Sequence, residues 1–475
     1  MAQTDKTELK ADICIIGGGS GGLSVAAGAA QMGASTILFE RGEMGGDCLN
    51  TGCVPSKALL AAGKIAYYGK GHEQMGISGQ TEVDFAAVKD HVSDIIAGIA
   101  PHDSAERFES LGVTVIPEEA SFTSKSQVTS ASYNVSARYF VVATGSHAFI
   151  PPIAGLDKVP FLTNESIFKS KAMPQHLAII GGGPIGVEMA QAHCRLGCKV
   201  TLIEGFSIMA RDEPSLAGIL RQRLIDEGVN LIEGCGVDGV SKKGTDIIVT
   251  LADKRKITAS HLLVAVGRRP NMDALNLSAA NVDVKPQGII TDRRLRSSNK
   301  RIFAIGDIAG RQQFTHIAGY HAGIVIRNML FKLPAKINDD IVPWVTYTDP
   351  ELAHVGLNLA QATERYGEQN IRELHWSLSE NDRARAERRS EGALYVITTK
   401  KGKILGASIL APHAGEMINS WSLAIASGLK IAAMASFIAP YPTYGEASKR
   451  IAGSFYTEKL FSERTRRLVK WLMRF

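Results

Sequence analysis

Cysteine is scarce in this chain, six residues in 475. Six are too few to staple a fold of this length, so a disulfide framework is excluded, and a closely spaced pair reads as redox chemistry or metal binding. Long apolar runs are missing too: no stretch is long enough to span a bilayer, and Met1 to Ala11 mixes Asp5, Lys6, Glu8 and Lys10 with no hydrophobic segment. The expected location is cytoplasmic. Charge of one sign is also lacking. The formal net charge is +6, and the basic residues are scattered until the last twenty positions, a distribution that gives no nucleic-acid footprint.

Glycine is plentiful, and much of it belongs to a repeat. Asp12-Ile13-Cys14-Ile15-Ile16 reads as a short buried strand; Gly17-Gly18-Gly19-Ser20-Gly21-Gly22 follows, then a small-residue helix from Leu23 to about Met32 and a strand, Ser35 to Phe39, ending in Glu40. The same plan returns as His176 to Ile180, Gly181-Gly182-Gly183-Pro184-Ile185-Gly186, a helix through Glu188 to Leu196, and Lys199 to Ile203 ending in Glu204. A lone G-x-G-x-x-G is weak evidence. Two copies, each after a strand, each opening a helix and each with an acid about twenty positions on, make the full dinucleotide-binding signature. The first glycine permits the tight turn, the second lets a pyrophosphate approach the backbone, and the third lets helix and strand pack closely. The helix N-terminus then offers N–H groups and a positive dipole end to the phosphates.

Three more strands end in small residues: Tyr139 to Val142 before Ala143-Thr144-Gly145, Leu262 to Val266 before Gly267-Arg268-Arg269-Pro270, and Arg301 to Ile305 before Gly306-Asp307. From about Pro343 the pattern changes to strands such as Ala393 to Thr398 and Ile404 to Leu410 followed by helices, which suggests a separate α+β domain. The length suits about three or four domains.

The segment Gly45-Gly46-Asp47-Cys48-Leu49-Asn50-Thr51-Gly52-Cys53-Val54-Pro55-Ser56-Lys57 follows Glu40 closely, which puts it beside the first dinucleotide. Cysteines five apart near a helix start can close a short disulfide ring, and the helix dipole with Lys57 nearby favours thiolate. Metal binding is the rival reading, and no other cysteine or histidine stands at zinc-like spacing from these two. Cys194 and Cys198, four apart beside His193, read as small packing residues rather than ligands. Cys14 and Cys235 read as inert, and His147 as structural.

In this motif order the chain resembles the flavoprotein pyridine nucleotide–disulfide oxidoreductase family, which includes dihydrolipoamide dehydrogenase, glutathione reductase and mercuric reductase. The resemblance covers nearly the whole chain, to about Arg450. It implies an α/β fold with two Rossmann-like dinucleotide-binding domains and a C-terminal α+β dimerisation domain: FAD-binding over 1–155, NAD-binding over 156–275, a central domain completing the FAD site over 276–342, and an interface domain with a basic tail over 343–475. The implied cofactors are FAD and NAD. By the same resemblance Gly17, Gly19, Gly22 and Glu40 bind the adenosine half of FAD and Asp307, after Gly306, its ribityl hydroxyls. Gly46, Lys57, Thr144, Gly145 and Thr315 complete that site, while Gly181, Gly183, Gly186, Glu204 and Gly267 take the nicotinamide nucleotide. Cys53 is implied as the thiol that contacts the flavin, Cys48 as the one that exchanges with substrate, and Lys57 as the partner of Glu188.

One departure bears on chemistry. Where the family places a base in a His-Pro-Thr motif followed by glutamate, supplied by the partner subunit of a homodimer, this chain reads Ala439-Pro440-Tyr441-Pro442-Thr443-Tyr444-Gly445-Glu446. Tyrosine titrates near 10 and is a poor base for a dithiol, but can donate a hydrogen bond or steady a thiolate or bound metal; Tyr441 is expected to donate to Cys48 or to such a metal, with Glu446 orienting the motif. A tyrosine here resembles the mercuric reductases, yet those carry a second cysteine pair near the C-terminus and this chain has no cysteine after Cys235.

The expected function is therefore an FAD enzyme passing electrons between NAD(H) and a small disulfide or dithiol through Cys48 and Cys53, with a thiol-bound metal ion as the alternative substrate and quinone or oxygen as further acceptors. The reading of another class is a membrane-docking redox sensor. It rests on Ser454 to Phe475, where Lys459, Arg464, Arg466, Arg467, Lys470 and Arg474 alternate with apolar residues like a basic amphipathic helix for peripheral membrane contact; packing on its own interface domain is the blander expectation for that tail. Intact Cys48, Cys53, Lys57 and Glu188 favour the enzyme.

Overall fold

The strands of the first glycine unit carry apolar residues at consecutive positions rather than alternate ones, the pattern of a strand covered on both faces. In the computed structural model, which describes residues 6–475, Ile13, Cys14 and Ile15 are fully buried in the strand Thr7–Ile16. That strand runs parallel to Thr36–Phe39 on one side and to Tyr133–Val142 on the other, with Ile13 opposite Thr36 and Tyr139. Val113–Ile116 extends the sheet beyond Thr36–Phe39, and Ile302–Ala304 pairs parallel with the end of Tyr133–Val142. Antiparallel Gln127–Thr129 and Ser121–Ser124 complete seven strands. The helices Ser20–Gln31 and Thr315–Met329 pack against each other on this layer. Gly28 sits at their contact, where an added Cβ would meet Ile326 Cδ1 at 2.6 Å.

The second glycine unit repeats the plan. His176–Ile180 lies between Lys199–Ile203 and His261–Val264, all parallel, with the helix Pro184–Arg195 packed on them. The antiparallel strands Val237–Lys243, Asp246–Leu251 and Lys256–Ala259 stand next in the chain.

The chain divides into two compact units, one comprising residues up to Gly205 with Gly234–Asn338, the other Phe206–Glu233 with Asp339–Phe475. The second unit is built on a five-stranded antiparallel sheet in the order Pro343–Thr346, Glu351–Gly356, Ile404–Ala411, Ala393–Thr399, Ile371–Ser377. The helices Ala414–Ala426 and Glu446–Leu460 cover it around the fully buried Trp421, whose Nε1–H donates to Ser448 Oγ at 3.1 Å. No helix among the described residues is long and apolar enough to cross a membrane.

The tail departs from the single amphipathic helix expected over Ser454 to Phe475. The Glu446–Leu460 helix continues through Phe455, which packs on the second unit's core, and stops at Phe461. Ser462 then caps a separate helix, Glu463–Leu472, by accepting from the Thr465 N–H at 3.3 Å. A capping serine starts a new helix because its hydroxyl replaces the missing carbonyl partner of the first turn. None of the residues of Glu463–Leu472 is buried, and Leu468, Trp471 and Leu472 are about half exposed.

Candidate active site

The two glycine loops adopt one geometry, and steric contacts explain it. Gly17 and Gly181 have φ of 110° and 112°, and a Cβ on Gly22 or Gly186 would stand 1.8 Å from the carbonyl oxygen of Gly17 or Gly181; only glycine lets the helix start this close to the strand end. The acids also match. Glu40 accepts from the N–H groups of Gly18 (2.5 Å) and Gly42 (2.7 Å), and Glu204 from that of Gly182 (2.7 Å).

These residues fit a dinucleotide. Neither helix start has a side-chain cap or an acid in its first turn, so the turn's N–H groups and dipole suit a phosphate. An added Cβ on Gly19 would approach only Gly46 Cα, at 3.8 Å, and one on Gly183 would meet nothing within 4 Å, which leaves room for a ligand against the backbone.

The cysteine segment is docked on the first loop. Gly45 N–H donates to Gly18 O at 2.9 Å, and Gly46, with φ of 62°, lies so near Gly19 that a Cβ would stand 2.8 Å from its Cα. Cys53 is the first residue of the helix Cys53–Gly69, whose N-cap is Gly52. Its sulfur lies 3.3 Å from Thr315 Oγ1, at the start of another helix 262 residues away. The hydrogen bond from the Cys48 thiol, with Thr315 and the Lys57 charge, holds Cys53 down at about 6, while bonding to Cys53 and burial push the Cys48 thiol up. The pair is thus unequal: Cys53 is the thiolate and Cys48 keeps its proton.

Lys57 Nζ donates to Glu188 Oε2 at 2.9 Å and to Ser56 Oγ at 3.2 Å. Glu188 is buried on the second loop's helix, so this ion pair ties the cysteine helix to the nucleotide helix. Gly63 serves the same crossing, since a Cβ there would press on Ala192 O at 3.2 Å.

A polar network that motif reading did not assign surrounds Asp47. Thr51 Oγ1–H and Asn164 Nδ2–H donate to Asp47 Oδ1 at 2.7 and 2.8 Å, and Arg268 lies 3.1 Å from Asp47 Oδ2. Arg268 also donates to Ser146 Oγ and O and stands 3.8 Å from Asp307 Oδ2. Burial pushes the Asp307 carboxyl up, opposed by the Ser146 hydroxyl and the Arg268 charge. Gly306 N–H donates to His321 Nδ1 at 3.2 Å; burial holds that ring down at about 4, leaving it neutral and able to accept. Thr144 Oγ1–H donates to Asn271 O, and His147 Nδ1 lies 2.6 Å from Asn271 Oδ1, a structural contact between strands.

In the second unit the Tyr441 hydroxyl donates to Asp382 Oδ2 at 2.9 Å, and this carboxylate raises its pKa above the ordinary phenol value. Glu446 touches the motif through its N–H, which donates to Thr443 Oγ1 at 3.3 Å, while its carboxylate is bound to Arg450 at 2.7 Å. Tyr444 donates to Glu387. The phenol therefore presents an acceptor oxygen beside a carboxylate, where the sequence suggested a donor. His193 is buried with Nδ1 2.8 Å from Met189 O, and burial pushes the Cys198 thiol up to about 12, both in keeping with packing roles.

Residues 11–322 match the model of the pyridine nucleotide-disulphide oxidoreductase family and residues 342–452 that of its dimerisation domain. The chain is 34% identical over 457 residues to mercuric reductase of Bacillus cereus, covering 94% of this chain and 72% of that protein. It is 32% identical over 450 residues to a dihydrolipoyl dehydrogenase of Bacillus subtilis, covering 91% and 96%. The structure of the Cu(II) complex of the HOCl-induced flavoprotein disulfide reductase RclA of Escherichia coli superposes with a TM-score of 0.84 at 26% identity, over 93% of this chain and 99% of that one. With the family's two domains present over most of its length, the chain belongs to the pyridine nucleotide-disulphide oxidoreductases, FAD-dependent enzymes that use NAD(P)H.

Proposed function

We propose that the protein is an NADH-driven reductase whose acceptor is a thiol-bound, thiophilic metal cation taken up at Cys48, and that it works as a homodimer, Tyr441 of one subunit completing the site of the other. FAD held by Gly17, Gly19, Gly22, Glu40, Gly46, Thr144, Gly145, Gly306 and Asp307 would accept hydride from the nicotinamide and return two electrons to the cysteine pair. Lys57 and Glu188 hold the cysteine helix against the helix of Gly181, Gly183 and Gly186, and Cys53 keeps the thiolate while Cys48, protonated at rest, gives its proton to the small thiolate it displaces as the metal–sulfur bond passes to it.

The observation that carries the choice of acceptor is the hydrogen bond from Tyr441 to Asp382. Oxidising a dithiol with NAD releases a proton, which a base at the site must take at neutral pH. A phenol whose proton is held by a carboxylate cannot do so. Reducing a divalent cation to the metal with NADH yields NAD and one proton, and takes no proton from the acceptor. The phenol oxygen and the Asp382 carboxylate are acceptors suited to a cation. The names of the mercuric reductase and of the Cu(II)–RclA complex point the same way. The ion would arrive as a small-thiol complex that exchanges directly onto Cys48.

The test is anaerobic NADH titration of the purified protein, then steady turnover with mercuric ion in excess small thiol against lipoamide, glutathione disulfide, coenzyme A disulfide and quinones. Mercuric ion should support the fastest NADH oxidation; faster NAD-dependent oxidation of dihydrolipoamide would overturn the choice.

Two results are expected at the nucleotide loops. Glu204 ends its strand where a carboxylate accepts from a ribose 2′-hydroxyl and repels a 2′-phosphate. Like charges in contact cost several kcal/mol, so NADH should exceed NADPH in kcat/KM by at least about tenfold, a preference that comparable specificity constants would refute. Gly186→Ala drives a methyl toward Gly181 O, where overpacking costs about 1–3 kcal/mol. That variant should bind FAD normally and raise KM for NADH by roughly 10- to 100-fold, whereas Gly22→Ala should be purified with its FAD content reduced; flavin absorbance per protein and NADH kinetics check both.

A further inference from the structure

The helix Glu463–Leu472 lies beyond the matched dimerisation domain, which ends at 452. Leu468, Trp471 and Leu472 recur at i, i+3 and i+4, which puts them on one face of the helix, and Phe475 follows just past its end. They are 53%, 53%, 53% and 94% exposed, and the Trp471 and Phe475 rings meet edge to face at 5.3 Å. Arg466, Lys470 and Arg474, at i, i+4 and i+8, form a stripe on the other side with Arg467 beside it. From 463 to 475 five cations face one carboxylate, Glu463, itself 3.3 Å from Arg467.

We propose that this helix docks the enzyme on an anionic lipid bilayer, lying in the plane of the interface with Leu468, Leu472 and Phe475 among the acyl chains, Trp471 at the headgroup boundary, and the arginines and lysine among the headgroups. Charge complementarity decides the occupant. A second copy of the chain would bring cation stripe to cation stripe, and a nucleic acid would use the cations while leaving the aliphatic and aromatic face in water. An anionic bilayer satisfies both faces at once, and a helix of this length lies on the surface rather than crossing it. Trp471 has the place that amphipathic rings take at the headgroup boundary.

The FAD-loaded enzyme should sediment with vesicles of phosphatidylcholine and phosphatidylglycerol and not with phosphatidylcholine alone. Raising salt from about 0.05 to about 0.5 M should lower binding at least about tenfold through screening. Removing residues 463–475 should abolish binding with flavin absorbance, NADH oxidation and sedimentation mass unchanged. Leu468→Glu with Leu472→Glu keeps the cations and should bind at least about tenfold more weakly, since the acyl-chain contacts are lost. Three outcomes overturn the proposal: no vesicle binding by the intact enzyme, unchanged binding by the double glutamate variant, or a drop in oligomer size on deletion, which would make the helix an interface between copies.

Discussion

Cys53→Ser should be purified with FAD bound and lose turnover by a factor of at least about 10³, since no second thiol can close the two-electron exchange. Two-electron reduction of the wild-type protein should give a long-wavelength absorption, from the Cys53 thiolate against oxidised flavin, that the serine variant lacks. Cys48→Ser should lose turnover as fully but keep the absorption, because Cys53 remains a thiolate beside Thr315 and Lys57. The two variants thus separate roles that activity alone would merge. Because Cys53 is held down at about 6, its thiolate is present above that pH, and the absorption of the wild type should fade as pH drops through about 6. In Cys48→Ala the midpoint should move upward, since the largest cause of the lowering, the Cys48 hydrogen bond, is removed. An absorption that survives in Cys53→Ser, or that stays constant from pH 8 to about 5, would show that Cys53 is not the flavin-side thiol.

The cysteine pair is legible as redox chemistry from its local spacing, whereas the separate role of each thiol comes only from the family resemblance. The cysteines stand five positions apart, and one of them starts a helix; strand, glycine loop, helix and acid follow one another within about thirty residues, the size of one βαβ unit. What sequence reading missed are partners brought together by the fold. Thr315 reaches Cys53 across 262 residues, Asn164 reaches Asp47 across 117, and Arg268 joins Asp47 to Ser146 and Asp307. No periodicity or local signature encodes such contacts, although Arg268 followed Gly267 at a strand end and was visible as part of a motif without a role. The broken tail was more legible than it seemed. The amphipathic period runs through Ser462, and the capping serine was the competing signal that should have divided it.

Tyr441 separates this chain most sharply from dithiol-oxidising relatives, and its contact with Asp382, 59 residues away, changes the experiment that its sequence position suggests. Tyr441→Phe deletes the acceptor oxygen while leaving ring and fold in place on the exposed surface. It should slow NADH oxidation by the metal–thiol acceptor about five- to tenfold, the scale of one lost polar contact, and leave the rate of flavin reduction by NADH unchanged. Asp382→Asn should do the same if the pair works as a unit, and should lower the phenol pKa toward its ordinary value, because the carboxylate is the main cause of its elevation. Tyr441→His makes the opposite change. An imidazole beside Asp382 titrates near neutral pH and is oriented by the carboxylate, the arrangement that a general base requires. Dihydrolipoamide oxidation should then rise by roughly 10² or more over wild type, since a positioned base is typically worth about 10² to 10⁴. Its pH profile should acquire a limb near the imidazole pKa, and Asp382→Asn in the histidine background should remove part of the gain. If Tyr441→Phe matches wild type with every accepted substrate while Tyr441→His brings no dithiol activity, then Tyr441 only packs against Asp382, and the preference for a cation over a dithiol must be sought in another part of the site.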